Sequence, residues 1–235
     1  MKGIGFCPGS DSGKSAGVYY RKPGLTPHQI ETENNQWTDL HKYDKFVYSR
    51  ISHFPKLASN ENQSLMEAAK LPNFSQLKWS SENPKEEFKS FANVIVTQDG
   101  FFNKPHQDFN DLNAWTYGIF YFESKKDFHP HPTVFSPSGH GLHFPKLKME
   151  IHFSKEPGIM EILWKTSPMV HHTTKPPPEI INNDKITHFG CSFQINHKLF
   201  NVRDKFLKMT PTKINLKVNG YFERNMQDQK RTRKY

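Results

Sequence analysis

The stretch that most constrains this chain is a β-branched, apolar run followed by a histidine and an aspartate two residues apart. The run is Ala92–Thr97, and the pair is His106 and Asp108. In an extended segment residues i and i+2 point to the same side, so the imidazole and the carboxylate converge on one point. A 2-His-1-carboxylate facial triad begins this way, and it holds Fe(II) once a distant strand adds a second imidazole. Because the chain has 13 histidines, His-x-Asp alone is also a frequent chance match.

A later strand offers the third ligand. His171 and His172 follow a predicted strand whose turn is set by Pro157 and Gly158. Adjacent residues of a strand point to opposite faces, so only one of the two histidines can be the ligand. The alternative is that both are ordinary surface or core histidines.

The charge balance favours an anionic partner. The chain has 32 Lys and Arg against 23 Asp and Glu, a formal net charge of +9. Nucleic acid is the most frequent partner of a basic soluble protein, and the alternative is simply a basic enzyme. Its two cysteines, Cys7 and Cys191, give no disulfide framework. With no signal peptide and no apolar run near the ~20 residues of a membrane span, we expect a nuclear or cytoplasmic protein without a membrane partner.

The first part of the chain predicts a helical flank. Residues 1–25 are rich in Gly and Ser and predict an extended loop, after which Thr26, Pro27 and Gln29 have the pattern of a capping box with proline at the first helical position. Apolar residues then recur at helical spacing and predict one buried stripe: Trp37, Leu40, Tyr43, Phe46, Val47 and Ile51. A second helix is expected over Asn60–Leu71, and a third from Pro84.

From residue 90 the pattern changes to short β-branched and aromatic runs. The candidate strands are Ala92–Thr97, Trp115–Phe122, Thr133–Phe135, Leu142–Phe144, Leu147–Phe153, Gly158–Trp164, Met169–His172 and Ile186–Ile195. Their number and spacing favour an α+β protein with a double-stranded β-helix core of the jelly-roll or cupin type. We expect a single domain over residues 1–235, with a flank over 1–89, the core over 90–207 and a C-terminal extension over 208–235. An immunoglobulin-like sandwich fits the strand number but gives no reason for ligand residues at strand ends.

Two further segments carry weaker signals. Gly9–Ser15 resembles a phosphate-binding loop, but it has three residues instead of four between its glycines and no predicted strand before it. Asn225–Tyr235 carries four Lys and Arg residues. Such a run is most often a solvated tail, and secondarily a nucleic-acid arm or nuclear address.

Taken together, these motifs resemble the fungal Tet-like family of 2-oxoglutarate/Fe(II) oxygenases, relatives of the TET/JBP enzymes that oxidise the methyl group of 5-methylcytosine. The matching elements are Gly3–Phe6, Gly13–Gly17, His41–Asp44, Ala92–Thr97, Gly100–Asn103, Pro105–Asp108, Gly139–Phe144, Pro157–Trp164, His171–Thr174 and Ile186–Asn196. The resemblance covers nearly the whole chain, and the ordered set is far more specific than His-x-Asp alone.

The resemblance implies a set of iron ligands. His106 and Asp108 would be the first two, and His171 the distal ligand, with His172 as the fallback. It also implies 2-oxoglutarate and O2 as co-substrates. One oxygen atom would then enter the substrate methyl group while 2-oxoglutarate becomes succinate and CO2.

The chain departs from the family at the co-substrate site. The resemblance implies that Ser192 and the residue after Thr187 hold 2-oxoglutarate, the latter as an Arg that grips the far carboxylate with two parallel hydrogen bonds. Here that residue is His188. An imidazole donates through one N–H at a time and has a reference pKa of about 6.5, so the co-substrate site is expected to be weaker. Lys185 or Arg203 are the alternative cations.

The function implied is oxidation of a methylated base in duplex DNA, 5-methylcytosine first and N6-methyladenine second. A base inside a duplex cannot reach such a pocket, so it would be flipped out and stacked on aromatic side chains. The alternatives are a catalytically weakened Tet-like module that still binds nucleic acid, because of His188, and an iron oxygenase of a small molecule or a protein.

Overall fold

The computed structural model describes residues 1–7, 17–19, 24–54, 56–76, 89–108, 114–131, 140–153 and 158–214. In chain order its strands are β1 (Lys2–Cys7), β2 (Gly17–Val18), β3 (Asn93–Thr97), β4 (Trp115–Ser124), β5 (Gly141–Phe144), β6 (Met149–His152), β7 (Met160–Lys165), β8 (His172–Thr173) and β9 (Ile186–Gln194). Its helices are α1 (Pro27–Asp39), α2 (Asp44–His53), α3 (Lys56–Ala68), α4 (Pro178–Ile181), α5 (His197–Leu207) and α6 (Pro211–Ile214). The fold is thus a mixture of helices and antiparallel sheets.

The chain forms two compact units. One is Met1–Lys2 with Ile95–Gln194, and the other is Gly3–Val94 with Ile195–Tyr235. No helix in the described ranges is long and apolar enough to cross a bilayer.

The helical unit confirms the predicted helix start. The Gln29 N–H donates to Thr26 Oγ1 at 3.3 Å, and the Thr26 N–H donates to Gln29 Oε1 at 2.9 Å, so the capping box is complete. Two donors that a helix start leaves without partners are thereby satisfied. The second predicted helix is also present, as α3, which begins and ends a few residues earlier than expected.

The predicted apolar stripe is wrong at two positions. A 3₁₀ turn over Leu40–Tyr43 separates α1 from α2. Because a 3₁₀ turn has about 3.0 residues per turn instead of 3.6, it rotates the following residues out of phase. Val47 and Ile51 are buried, whereas Tyr43 and Phe46 are 56% and 53% exposed.

The loop predicted for residues 1–25 is wrong where β1 and β2 pair. They are antiparallel, with Phe6 opposite Val18. The Phe6 side chain is fully buried, and its N–H donates to the carbonyl of Ala92. Tertiary pairing and burial therefore outweigh the low strand propensity of the local glycines.

Two antiparallel sheets make up most of the other unit. In the larger, β9 lies between β3 and β4, and β7 pairs with the far edge of β4. In the smaller, β5 lies between β6 and β8. Seven of the eight strands expected from the sequence have a counterpart here. The eighth expected strand, Thr133–Phe135, lies outside the described residues, as do Gly9–Ser15, the helix from Pro84 and the basic tail.

An aromatic core packs against both sheets of this unit. Its members come from β4, β5, β7, α4 and the residue after β6, namely Phe120, Phe122, Leu142, Phe144, Phe153, Ile162, Trp164 and Ile180. Full burial of one such side chain contributes about 1.5–3 kcal/mol. This packing holds β5, which pairs with β8, the strand that His171 immediately precedes.

Candidate metal centre

A short antiparallel pairing outside the named strands brings two histidines together. The His106 N–H donates to the carbonyl of His171 at 3.1 Å, and the His171 N–H donates to the carbonyl of His106 at 3.0 Å. The two ring centroids are 4.7 Å apart. Residues that exchange both backbone hydrogen bonds in an antiparallel pair lie directly opposite each other. The backbone therefore fixes the separation of the two imidazoles.

Asp108 completes a group of three ligand atoms. Its Oδ1 lies 3.7 Å from His106 Nε2, and its Oδ2 lies 3.5 Å from His171 Nε2. All three ligand atoms lie within 4.8 Å of one another. No other three-ligand group of this kind occurs among the described residues. The structure thus brings together the three residues that the sequence and the resemblance selected.

Hydrogen bonds to the backbone orient both imidazoles. His106 Nδ1 lies 2.9 Å from the carbonyl oxygen of Lys104, and His171 Nδ1 lies 2.9 Å from that of Met169. A carbonyl oxygen only accepts, so each Nδ1 carries the proton and each Nε2 presents a lone pair. This is the arrangement in which a histidine binds a metal and is held by its other nitrogen.

Burial favours the metal-binding form of the distal histidine. Desolvation lowers the pKa of His171, and this outweighs its hydrogen bond with the backbone and the nearby Asp108 carboxylate, both of which raise the pKa. Neutral imidazole is the form that coordinates a metal. Trp164 and Phe144 pack around this ring, with centroid distances of 5.6 and 6.2 Å.

A left-handed turn delivers the His-x-Asp segment from β3. Asp99 has φ +58° and Gly100 has φ +66°. Positive φ is uncommon for residues other than glycine, and aspartate tolerates it better than most. Thr187 braces this turn, because its Oγ1 accepts from the Asp99 N–H at 3.1 Å and its hydroxyl donates to Asp99 Oδ1 at 3.3 Å. Thr187 therefore positions the ligand segment.

Two amide side chains hold the ligand segment. Asn103 Oδ1 accepts from the Thr173 N–H at 2.8 Å, while the Asn103 N–H donates to the Thr173 carbonyl at 3.2 Å. Gln107, between the two ligands, donates through Nε2 to the carbonyl of Ser167. Each amide joins the segment of one histidine ligand to that of the other.

His172 points away from the cluster. Its Nε2 lies 2.9 Å from His143 Nδ1. The structure therefore places His171 in the cluster and His172 on the opposite face, as strand alternation requires.

A cavity of about 220 Å³ adjoins the three ligands. The polar residues that line it are Thr97, Asn103, Thr173, Ser192 and Gln194, and the apolar ones include Ile95, Phe101, Phe120, Leu142 and Trp164. Gly190 also lines it, and a Cβ there would lie 2.8 Å from Thr97 Oγ1 and 2.9 Å from Phe120. The cavity thus depends on position 190 being a glycine, which has no side chain. Ser192, assigned to the co-substrate by resemblance, lies on this cavity.

His188 has a different environment from the one an Arg would need. It lies opposite Phe122 in the sheet and stacks on Phe153, with centroids 4.5 Å apart. Its side chain is buried, and burial holds its pKa well below the usual value, with His140 lowering it further. The imidazole is therefore neutral at pH 7 in the absence of a ligand.

His140 is the neighbour of His188, with ring centroids 4.4 Å apart. Its Nδ1 lies 2.8 Å from the carbonyl oxygen of Thr174, so its Nε2 can only accept. The Nε2 atoms of His140 and His188 are both buried without a hydrogen-bond partner. Unsatisfied buried polar atoms are costly, and they are expected to bond a ligand or an ordered water.

The donor set fits iron better than the cavity fits a dicarboxylate. Two imidazoles and one carboxylate on a single side are the ligands of a non-haem Fe(II) site. The cavity provides space for an oxo acid, and its polar lining residues, Ser192 among them, provide hydrogen-bonding groups. No lysine or arginine is among the described residues that line the cavity. The two alternative cations do not line the cavity either. Lys185 is exposed, and Arg203 donates to the carbonyl of Ala68.

Sequence reasoning gave no role to Asn103, Thr187 or His140. Asn103 and His140 stood inside the motifs that carried the resemblance, and Thr187 served only to locate the residue after it. Their contacts join residues 70, 88 and 34 positions apart in the chain. Local spacing carries no signal for partners so distant.

Comparison with known proteins agrees with this chemistry. A family model described as the Tet-like 2OG-Fe(II) oxygenase superfamily matches residues 1–176. That range is more than half of the chain and includes His106, Asp108 and His171. Nothing among the curated proteins matches the chain.

Proposed function

The chain belongs to the Tet-like 2OG-Fe(II) oxygenase superfamily, and from that premise we propose that it is a dioxygenase that oxidises the methyl group of a methylated DNA base. We propose 5-methylcytosine as the first substrate and N6-methyladenine as the second. The resemblance seen in the sequence is confirmed at the level of the superfamily. We also propose that the two antiparallel sheets are the two halves of a double-stranded β-helix.

The observation that carries this proposal is the His106, Asp108 and His171 cluster beside the cavity. When bound, Fe(II) with 2-oxoglutarate and O2 supplies the oxidising power, and the products are succinate, CO2 and a hydroxymethyl group. The chain's own part is to hold the metal on one side and leave the other side open to the cavity.

The cavity walls would keep the reaction dry. Phe120, Leu142 and Trp164 line the cavity and are nearly fully buried. Apolar walls exclude water and so protect a reactive centre from side reactions. Gly190 leaves the space that the co-substrate would fill. Ser192 lines the cavity, and we propose that its hydroxyl donates a hydrogen bond to one of the co-substrate carboxylates.

The proposal of a DNA substrate is supported by the family and by the net charge of the chain. A formal net charge of +9 favours a polyanion, and its attraction to phosphates is expected to fall as salt rises. A base must leave the duplex to reach a buried centre. With this substrate we propose a nuclear location, for which the basic residues of Asn225–Tyr235 are a candidate address.

The experiment is nucleoside mass spectrometry on a 5-methylcytosine duplex incubated with the protein, Fe(II), ascorbate and 2-oxoglutarate. We expect 5-hydroxymethylcytosine in the complete reaction and none without 2-oxoglutarate or with the Asp108→Ala variant. A parallel duplex with N6-methyladenine ranks the two bases. No oxidised base of either kind from an iron-loaded, folded protein would contradict the proposed substrate class.

One observation favours a second candidate function. His188 is neutral and buried, and the described cavity lining has no Lys or Arg. A member of the family with a weakened co-substrate site would bind nucleic acid and turn over slowly. Salt-dependent DNA binding without 2-oxoglutarate turnover would identify it. Turnover without salt-dependent DNA binding would instead point to an oxygenase of a small molecule or a protein.

A further inference from the structure

A second group of metal-ligand side chains lies on the smaller sheet. In the register of that sheet His143 on β5 is opposite both Glu150 on β6 and His172 on β8. The neighbouring pair, Leu142 and Thr173, lines the cavity. Because side chains alternate along a strand, the row of Glu150, His143 and His172 faces away from the cavity. This row therefore plays no part in the candidate metal centre.

Two imidazole nitrogens of this row are in contact. His143 Nδ1 lies 2.9 Å from His172 Nε2, and the ring planes cross at 73°. Without a metal, the N–H of one ring donates a hydrogen bond to the nitrogen of the other. Two nitrogens that both bind one tetrahedral ion at about 2.0–2.1 Å lie about 3.3 Å apart. The pair is therefore close to the spacing of two ligands of one ion, and a small rotation of the two rings would direct both lone pairs to it.

Further ligand atoms lie along the same face. Glu150 Oε1 is 3.2 Å from the hydroxyl of Thr174 and 3.7 Å from His152 Nδ1. His152 Nδ1 is buried and makes no hydrogen bond with the described residues. Glu150 is exposed, so its side chain can leave the Thr174 hydroxyl and rotate toward the His143 and His172 nitrogens without moving the backbone.

We propose that His143 and His172 form a second divalent-metal site, with Glu150 as the third ligand and water at the remaining position. Two imidazoles and one carboxylate are ligands that suit Zn²⁺. The backbone of both histidines is held in a β ladder, which keeps the two nitrogens in place before the ion arrives. The ion would replace the proton that the two rings share.

This site would support the candidate iron centre. The strand β8 has only two residues and therefore few ladder hydrogen bonds of its own. A metal that joins His172 to His143 would tie β8 to β5, and His171 immediately precedes β8. Bound Zn²⁺ is therefore expected to raise the melting temperature.

The test is Zn²⁺ titration by calorimetry on a protein that lacks the first site through His106→Ala and Asp108→Ala. We expect this double variant to bind one equivalent of Zn²⁺. Adding His143→Gln, which keeps a hydrogen-bonding side chain beside His172, should abolish that binding. Adding His129→Ala, which removes an exposed histidine elsewhere, should leave it intact.

Two results would overturn the proposal: no Zn²⁺ bound by the double variant, or an unchanged equivalent after His143→Gln. Imidazole nitrogen resonances of the double variant give a second reading that does not depend on the folding of the His143→Gln protein. Zn²⁺ should shift the resonances of two histidines, and His172→Gln should remove both shifts. Uniform small shifts of many histidines would instead indicate only adventitious binding.

Discussion

His106 and His171 exchange two backbone hydrogen bonds, of 3.1 and 3.0 Å, across a pairing that joins the His-x-Asp segment to the start of β8. The same two residues present their Nε2 atoms to opposite oxygens of Asp108. The backbone pairing of these two residues therefore also sets the geometry of the metal ligands. A change that weakens the pairing is expected to weaken the metal site.

Replacing a ligand should remove the metal but not the fold. We expect His106→Ala or Asp108→Ala to lower iron affinity by more than about 100-fold, since even outer ligand contacts are worth 10–100-fold. Both side chains are partly exposed, so the melting temperature of the metal-free protein should change little. Asp127→Ala, at an exposed carboxylate, is the matched control. Full turnover in either ligand variant would show that the metal assignment is wrong.

The Asn103 side chain can be tested apart from the ligands. Asn103→Ala leaves the Thr173 N–H without its 2.8 Å acceptor. We expect a loss of about 1–3 kcal/mol in the free energy of unfolding and about tenfold weaker iron binding. Asn103→Asp keeps an acceptor oxygen, so it should retain more of the stability and more of the iron affinity than Asn103→Ala does. Equal losses in the two variants would mean that the hydrogen bond does not position the ligands.

The buried His188 should make the protein acid-sensitive. Its pKa in the folded state is well below the ordinary value, so between the two pKa values the unfolded chain binds more protons. The free energy of unfolding is therefore highest above about pH 6.5 and decreases as the pH falls below that value. The decrease is at most about 1.4 kcal/mol per pH unit for each such group. His140 contributes in the same direction.

The measurement for this sensitivity is chemical denaturation between pH 5 and pH 8. His188→Phe removes the titrating group and places an apolar ring among Phe120, Phe122 and Phe153. We expect the variant to lose stability less steeply than the wild type as the solution becomes acid. Parallel curves for the two proteins would exclude His188 as a cause of acid sensitivity.

An Arg at position 188 should strengthen the binding of 2-oxoglutarate and lower the stability of the ligand-free protein. Its guanidinium can form two charge-assisted bonds to a carboxylate, together worth about 1.5–3 kcal/mol or roughly 10- to 150-fold in affinity. Without a ligand it would be an unpaired charge among aromatic rings, costing about 3–5 kcal/mol. Calorimetry with 2-oxoglutarate and melting without it measure the two effects, with His188→Gln as control. Unchanged or weaker affinity would mean that another group holds the carboxylate.

The sequence predicted features that rest on local pattern. The capping box of Thr26 and Gln29, the strand Trp115–Phe122 and the convergence of His106 with Asp108 all depend on residues close in the chain. The pattern could not predict the 3₁₀ turn after Asp39, which exposes Tyr43 and Phe46.

Features set by tertiary packing could not be predicted from the sequence pattern. Strand alternation showed that His171 and His172 could not both be ligands, but only the fold shows which one faces Asp108. The environment of His188 is likewise made by Phe120, Phe153 and His140, none of which is near it in the chain. The Asn103 contact with Thr173 depends on the same long-range pairing.

The most direct measurement is the visible absorption of the anaerobic protein as Fe(II) and then 2-oxoglutarate are added. Chelation of Fe(II) by an oxo acid gives a charge-transfer band, and it requires no nucleic-acid substrate. We expect the band in the wild-type protein and its loss in Asp108→Ala, with iron affinity lost in parallel. A wild-type protein that binds one Fe(II) yet gives no band at saturating 2-oxoglutarate would contradict the account of this site as that of a 2-oxoglutarate-dependent dioxygenase.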